Sequence, residues 1–157
     1  MQRATQRLIT TRNSLLDATS AAKNIKKRVI GLWHANFLSE GKSLFGQWQP
    51  LAEYTQKDRA QKGYEPDTPI LVRTGNLQKV LFGQMDNGVV SPQAITWNFQ
   101  SENGAWILTH QHGHRNHAPF GPIPARRIYG FDGNGKILDV AVDITETWVN
   151  SIVHRYY

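Results

Sequence analysis

"RLITTRNSLLDATSAAKNIKKRVIGLWHANFL", Arg7 to Leu38, is the stretch on which the fold turns. Leu8, Leu15, Ala22 and Val29 recur every seven residues, and Ala18, Ile25 and Leu32 fall between them at the complementary spacing. Apolar side chains at those intervals line one stripe of an α-helix. Trp33 and Phe37 widen the stripe near its end. The spacing predicts one long helix over residues 3–38. So narrow a seam suits packing across a sheet or against neighbouring subunits. Lys23, Lys26, Lys27 and Arg28 form a basic cluster, most of it off the stripe. A solvated face is the plain reading of that cluster, and contact with DNA or an acidic partner is the alternative.

The charge is unevenly placed. Residues 1–42 hold eight Lys/Arg against Asp17 and Glu40, whereas residues 43–157 hold ten of each sign, so the net +6 sits on the N-terminal segment. That concentration says more about partners than the total does. At 157 residues, with 39% apolar and 19% charged side chains, the chain suits one globular domain with a real core. No apolar run approaches the roughly 18–20 residues of a membrane span. "MQRATQRLITTRN" is too polar for a secretory signal, so the expectation is synthesis in the host cytoplasm. Cysteine is absent, which excludes disulfides, cysteine-based zinc sites and a thiol nucleophile.

Further along, Gly41-Lys42-Ser43 lacks the upstream glycine and strand of a phosphate loop, because Asn36 and a helix stand there. Thr55 with Asp58 three residues on reads as a helix start, giving a short helix of about 55–62. "NLQKVLF" suits helix or strand. Val89-Val90, Ile95–Phe99 and Ala105–Thr109 read as strands of an antiparallel sheet. Ile137, Ala141, Ile144, Trp148 and Ile152 mark an amphipathic helix over 137–154. The expectation is an α+β single domain: a basic helix (1–38), motif-bearing loops and sheet (39–130), and a C-terminal helix (137–154), the two helices packed on the antiparallel sheet.

Four histidines, His110, His112, His114 and His117, crowd into eight residues. In an extended segment the first three would share a face and could converge on one ion. Gly113 invites a turn among them, and no acidic residue lies between Glu102 and Asp132 to act as base or second shell. A polar loop rich in histidine is the reading taken, with a histidine-metal hydrolase as the alternative. "DGNGKILDVAVD" fails as a calcium loop, since Lys136 stands at a ligand position. No Ser/His/Asp elbow and no close carboxylate pair is visible. No catalytic residue, metal or cofactor is therefore expected. Trp97, Phe99 and Trp106 could stack on bases, but aromatics in strands usually serve a core or interface.

Three segments in fixed order carry a resemblance. They are "GQWQPLAEYTQKDRAQKG" (Gly46–Gly63), "ILVRTGNLQKVL" (Ile70–Leu81) and the stretch from "HQHG" to "IPARRIYG" (His110–Gly130). With the flanking helices, they resemble the virion morphogenesis, or tail completion, family of Mu-like and P2-like tailed bacteriophages. "RRIYG" departs from the family's pattern, and so does the glycine-rich insert Phe131–Lys136. The resemblance implies a non-enzymatic structural protein at the head–tail junction. It would form a homo-oligomeric ring, commonly sixfold, contact other neck and tail proteins, and make tails competent to join heads.

Beside that, Trp48 and Pro50 suit a fixed loop with a buried ring. Gly75, after Arg73-Thr74, suits a positive φ or a close approach. Pro124 is rigid, and Arg126 and Arg127 offer forked donors to carboxylates across a subunit boundary. Trp48, Pro50, Arg73, Gly75, Pro124, Arg126 and Arg127 are thus candidates for subunit contacts, or equally for stabilising a turn within each monomer. Around a DNA channel, Lys23, Lys26, Lys27 and Arg28 would favour DNA without reading its sequence; an acidic neighbouring ring would match them as well.

Overall fold

Asp17 breaks the long N-terminal helix. Its carboxylate accepts the backbone N–H of Thr19 at 3.1 Å, and the Thr19 hydroxyl and N–H hold its pKa below the usual carboxylate value. Asp and Thr compete with helical backbone bonds in this way and favour caps over interiors. The chain therefore divides into α1 (Gln2–Leu16) and α2 (Thr19–Leu38), where the heptad spacing predicted a single helix. The predicted seam divides with it. Ala22 and Val29 are buried, whereas Leu8 and Leu15 are exposed.

A computed structural model describes residues 2–67, 69–97, 104–113, 123–130 and 135–156. After α2 come α3 (Glu53–Gln61), α4 (Asn76–Asp86), β1 (Val89–Val90), β2 (Ile95–Thr96), α5 (Gly104–His112) and α6 (Lys136–Tyr156). The described residues are mostly helical with one short two-stranded antiparallel sheet, α+β in the general sense. Val89 pairs with Thr96 and Val90 with Ile95. Ser91 and Ala94 close the hairpin with a backbone bond of 2.8 Å and a hydroxyl bond of 3.0 Å.

Three expectations are corrected. Ala105–Thr109 lies in α5, not in a strand. A short apolar run fits either state until its partners are known, and here the helical spacing points both Ile107 and Gln111 inward. Among the described residues the sheet is accordingly two strands of two residues, too small to carry the packing expected of it. The short helix begins at Glu53 with Ala52 as N-cap, without a side-chain cap from Thr55; Asp58 instead pairs with Lys62 at 2.6 Å. "NLQKVLF" falls in α4, and α6 runs one turn beyond the range expected for it in total.

Helix packs on helix. α6 lies along both α1 and α2, while α4 and β1 pack on another part of α2. The core joins Val29, Ile30, Trp33 and Phe37 of α2 to Leu81 and Met85 of α4, Ile107 of α5, and Ile137 of α6. Aromatic edges order it: Trp33 meets Trp97 at 4.8 Å, and Phe37 meets Trp48 at 5.7 Å and Phe82 at 5.4 Å, all T-shaped. Such geometry adds ~0.5–1.5 kcal/mol per pair beyond burial. Trp97 also donates to the Met85 carbonyl at 2.8 Å, so its ring is spent inside the subunit rather than offered to bases.

Candidate functional site

Residues 127–130 form a segment without regular structure whose backbone is held by side chains. Asn36, wholly buried on α2, donates to the carbonyls of Arg127 (3.0 Å) and Ile128 (3.3 Å). Its oxygen accepts the N–H of Leu44 at 3.1 Å, which fixes the turn after α2. Gln111, on α5, accepts from Ile128 N–H at 2.7 Å and donates to the Tyr129 carbonyl at 2.8 Å. Trp48 donates to the Arg127 carbonyl at 3.2 Å, and Trp33 to that of Gly130 at 3.1 Å. Buried backbone polar groups must find partners, and here helices and one loop supply them.

This arrangement decides where several candidate residues stand. Trp48 and Arg126 are buried within the subunit. Arg126 donates from Nη2 to the Gln49 carbonyl at 3.3 Å, and its N–H binds the His110 carbonyl at 2.6 Å. Burial pulls its pKa below the ordinary guanidinium value. Arg127 points outward and lies over the Phe45 ring, 4.7 Å from its centroid. Pro50 is exposed and Pro124 half-buried. Gly113 closes α5 with φ 74, and a Cβ there would lie 2.8 Å from Ala125 N and 2.9 Å from Ile123 O. Only glycine suits a left-handed residue crossed so closely by another backbone.

The Arg-Thr-Gly segment lies beside this clamp. Gly75, left-handed at φ 77, starts α4 and has open space where a Cβ would be, so it answers to conformation rather than close approach. A pocket of about 290 Å³ is lined by Leu71, Arg73, Thr74, Gly75, Asn76, Leu77, Val80 and His110, bringing the second and third motif segments to one place. Arg59, buried on α3, donates to the Pro69 carbonyl at 3.3 Å. Glu40 accepts from Ile70 N–H at 2.7 Å. Arg73 is exposed, 5.8 Å from the Tyr64 ring centroid and 3.6 Å from Asp58.

The basic cluster divides. Lys23, Lys26 and Lys27 line a groove of about 550 Å³ with Asp86, Gly88 and Val90. Lys26 donates to the Asp86 carbonyl. Arg28 is not among the lining residues; five residues after Lys23, it stands about 140° around the helix. Three lysines against one carboxylate give this groove a positive balance of charge.

The alternating-face argument for a histidine metal site does not hold for His110 and His112, because they lie in α5 and two residues along a helix is about 200° of rotation. His114 and His117 lie outside the described residues, as does Phe99. Among the described residues no three His, Cys, Asp or Glu side chains gather as a metal set, and no described helix is long and apolar enough to cross a membrane. Asn36 and Gln111 escaped the sequence reading. Asn36 did leave a signal: an amide on the core stripe between Trp33 and Phe37, where an unpaired polar group would be costly. Comparison with protein-family models, curated proteins and solved structures found no match.

Proposed function

We propose that this chain is a structural component of a phage-type particle. It is a tail-completion or neck subunit that forms a homo-oligomeric ring at the head–tail junction and enables tail-to-head joining. It works by shape and contact rather than turnover, is made in the host cytoplasm, and ends in the virion beside other neck and tail proteins. The observation that carries this reading is the meeting of the three motif segments. The first reaches the third through Trp48 on Arg127 and Arg126 on Gln49. The second meets the third in the pocket between Gly75 and His110. Residues that together support a resemblance thus belong to one physical unit. Immuno-electron microscopy of purified particles tests the proposal. Label at the head–tail junction is expected, and a protein missing from finished particles overturns it.

A second reading has its own observation. Lys23, Lys26 and Lys27 share one groove, which supports sequence-independent binding of a DNA backbone. Within a ring the two readings are compatible, the groove facing DNA or an acidic surface next to it.

A further inference from the structure

Helix α6 carries an apolar crest with an acidic flank. Leu138, Val142 and Val153 are exposed, Leu138 to 58%, and half-buried Val149 lies between the last two. At 3.6 residues per turn these four fall within about 60° of arc. Asp139, Asp143 and Glu146, all exposed, occupy the adjoining arc of about 80° on one side. Between Lys136 and His154 the helix has no Lys or Arg to offset them. A contiguous exposed apolar stripe edged by charge marks a contact surface.

The lysine groove is its counterpart. Lys23, Lys26, Lys27 and Ile30 share about 100° of α2, and all four line the groove of about 550 Å³. Lys23 and Lys27 are exposed, whereas Ile30 is buried and Val90 half-buried, so cations border apolar side chains. Asp86 is the one carboxylate among the lining residues. Lys23 and Lys27 stand four residues apart, as do Asp139 and Asp143, so both rows step by about 6 Å. None of the ion pairs among the described residues uses any of these three lysines or three acids. Within one subunit the two sets of charge are therefore not paired with each other.

We propose that α6 of one molecule docks in the lysine groove of a second copy. Its Leu138–Val142 crest meets Ile30 and Val90, and its acids face Lys23, Lys26 and Lys27. Charge complementarity selects this partner. A DNA backbone would answer the lysines but not Ile30 and Val90, whereas α6 answers both. The two faces differ and lie on one chain, so every copy gives one and receives the other. Such a head-to-tail contact closes into a ring when the rotation between copies permits. It supplies the subunit interface of the ring proposed above and rests on that reading.

Sedimentation velocity of the full chain over a concentration series, with binding to a DNA duplex read by fluorescence anisotropy, tests this. The wild type assembles as concentration rises, and added salt weakens assembly. Lys23→Glu with Lys27→Glu weakens it at least about tenfold, and so does Asp143→Lys with Glu146→Lys. The four substitutions combined in one chain restore it. Leu138→Ser, which leaves every charge in place, weakens assembly about tenfold through the lost apolar anchor. All five positions are exposed in the subunit, so circular dichroism and the melting temperature stay near wild type. A wild type that stays monomeric throughout overturns the proposal, as does a charge exchange that fails to restore assembly. So does a protein that binds the duplex through these lysines while its assembly ignores their reversal. In each case, label at the head–tail junction of particles would leave the ring reading standing on another contact.

Discussion

Asn36 and Gln111 grip Ile128 from two different helices. Asn36 takes its carbonyl at 3.3 Å, while Gln111 takes its N–H at 2.7 Å. The peptide groups around Ile128 thus have their hydrogen bonds supplied by side chains of two helices. Asn36→Leu keeps the branched shape and removes three bonds; the Ile128 carbonyl loses this partner, while the Leu44 N–H keeps the Gly41 carbonyl and the Arg127 carbonyl keeps Trp48. A buried group left unpaired costs ~1–3 kcal/mol, and with the two weakened contacts the expected loss is ~2–3 kcal/mol in stability. Urea denaturation reads it as a lowered midpoint. A loss under ~1 kcal/mol would mean that water replaces the amide without difficulty.

Gln111→Leu is expected to cost ~2–3 kcal/mol on the same grounds. The pair should also couple. Once either amide is gone the segment loosens, and the second loss costs less. A double-mutant cycle should show ~0.5–2 kcal/mol of coupling. Strict additivity would mean that the two bonds act on independent parts of the chain.

Gly113→Ala and Gly46→Ala separate two kinds of strain. Both glycines are left-handed, at φ 74 and φ 90. Only Gly113 has backbone pressed against the Cβ position; Gly46 opens onto free space. Alanine at Gly46 should cost ~1 kcal/mol from conformation alone. At Gly113 the collision with Ala125 and Ile123 adds to that, for ~2–4 kcal/mol in total. Equal melting temperatures for the two variants would refute the close crossing.

His34 stacks on Phe82 with ring centroids 3.9 Å apart. Burial lowers its pKa below the ordinary imidazole value, against an opposing pull from Asp86. The unfolded chain therefore binds a proton more readily than the folded one. Stability is fully present above about pH 6.5, the unfolded value, and falls as pH drops below it towards the folded pKa. Melting temperature measured from pH 7.5 to 5.5 should decline, and His34→Gln should flatten that decline. An unchanged profile in the variant would assign the pH dependence to another group.

The lysine groove predicts a salt dependence. If a DNA backbone lies in it, Lys23→Gln, Lys26→Gln and Lys27→Gln should each lower the slope of log affinity against log salt by ~0.9. Arg28→Gln, about 140° round the helix from Lys23, should change it little. Four equal effects would assign binding to diffuse charge on α2 rather than to the groove.

The long periodic segments were legible. α2 and α6 fall where apolar spacing put them, because each buries one stripe and little else decides its conformation. The break between α1 and α2 carried a local signal in Asp17-Ala18-Thr19, outweighed by a heptad that runs straight across it. The exposure of Leu8 and Leu15 could not be read from spacing, since periodicity names a stripe but not what it faces. α5 was illegible for a different reason. Its four apolar residues, Ala105 to Leu108, become helical through partners nearly twenty residues away, on which Gln111 closes. At the candidate site, spacing brought out the lysines but could not show that Arg28 leaves them.

The gripping of residues 127–130 orders events on the ribosome. Trp33, Asn36 and Trp48 find their acceptors 79 to 97 residues downstream. Until residues 127–130 have emerged, the N-terminal third holds two indole N–H groups and the Asn36 amide N–H without their native acceptors, beside an apolar face it cannot yet close. Contacts of such long range form late. The N-terminal third therefore completes its polar contacts only after most of the chain has been made, and truncation before Gly130 is expected to remove the cooperative melting transition.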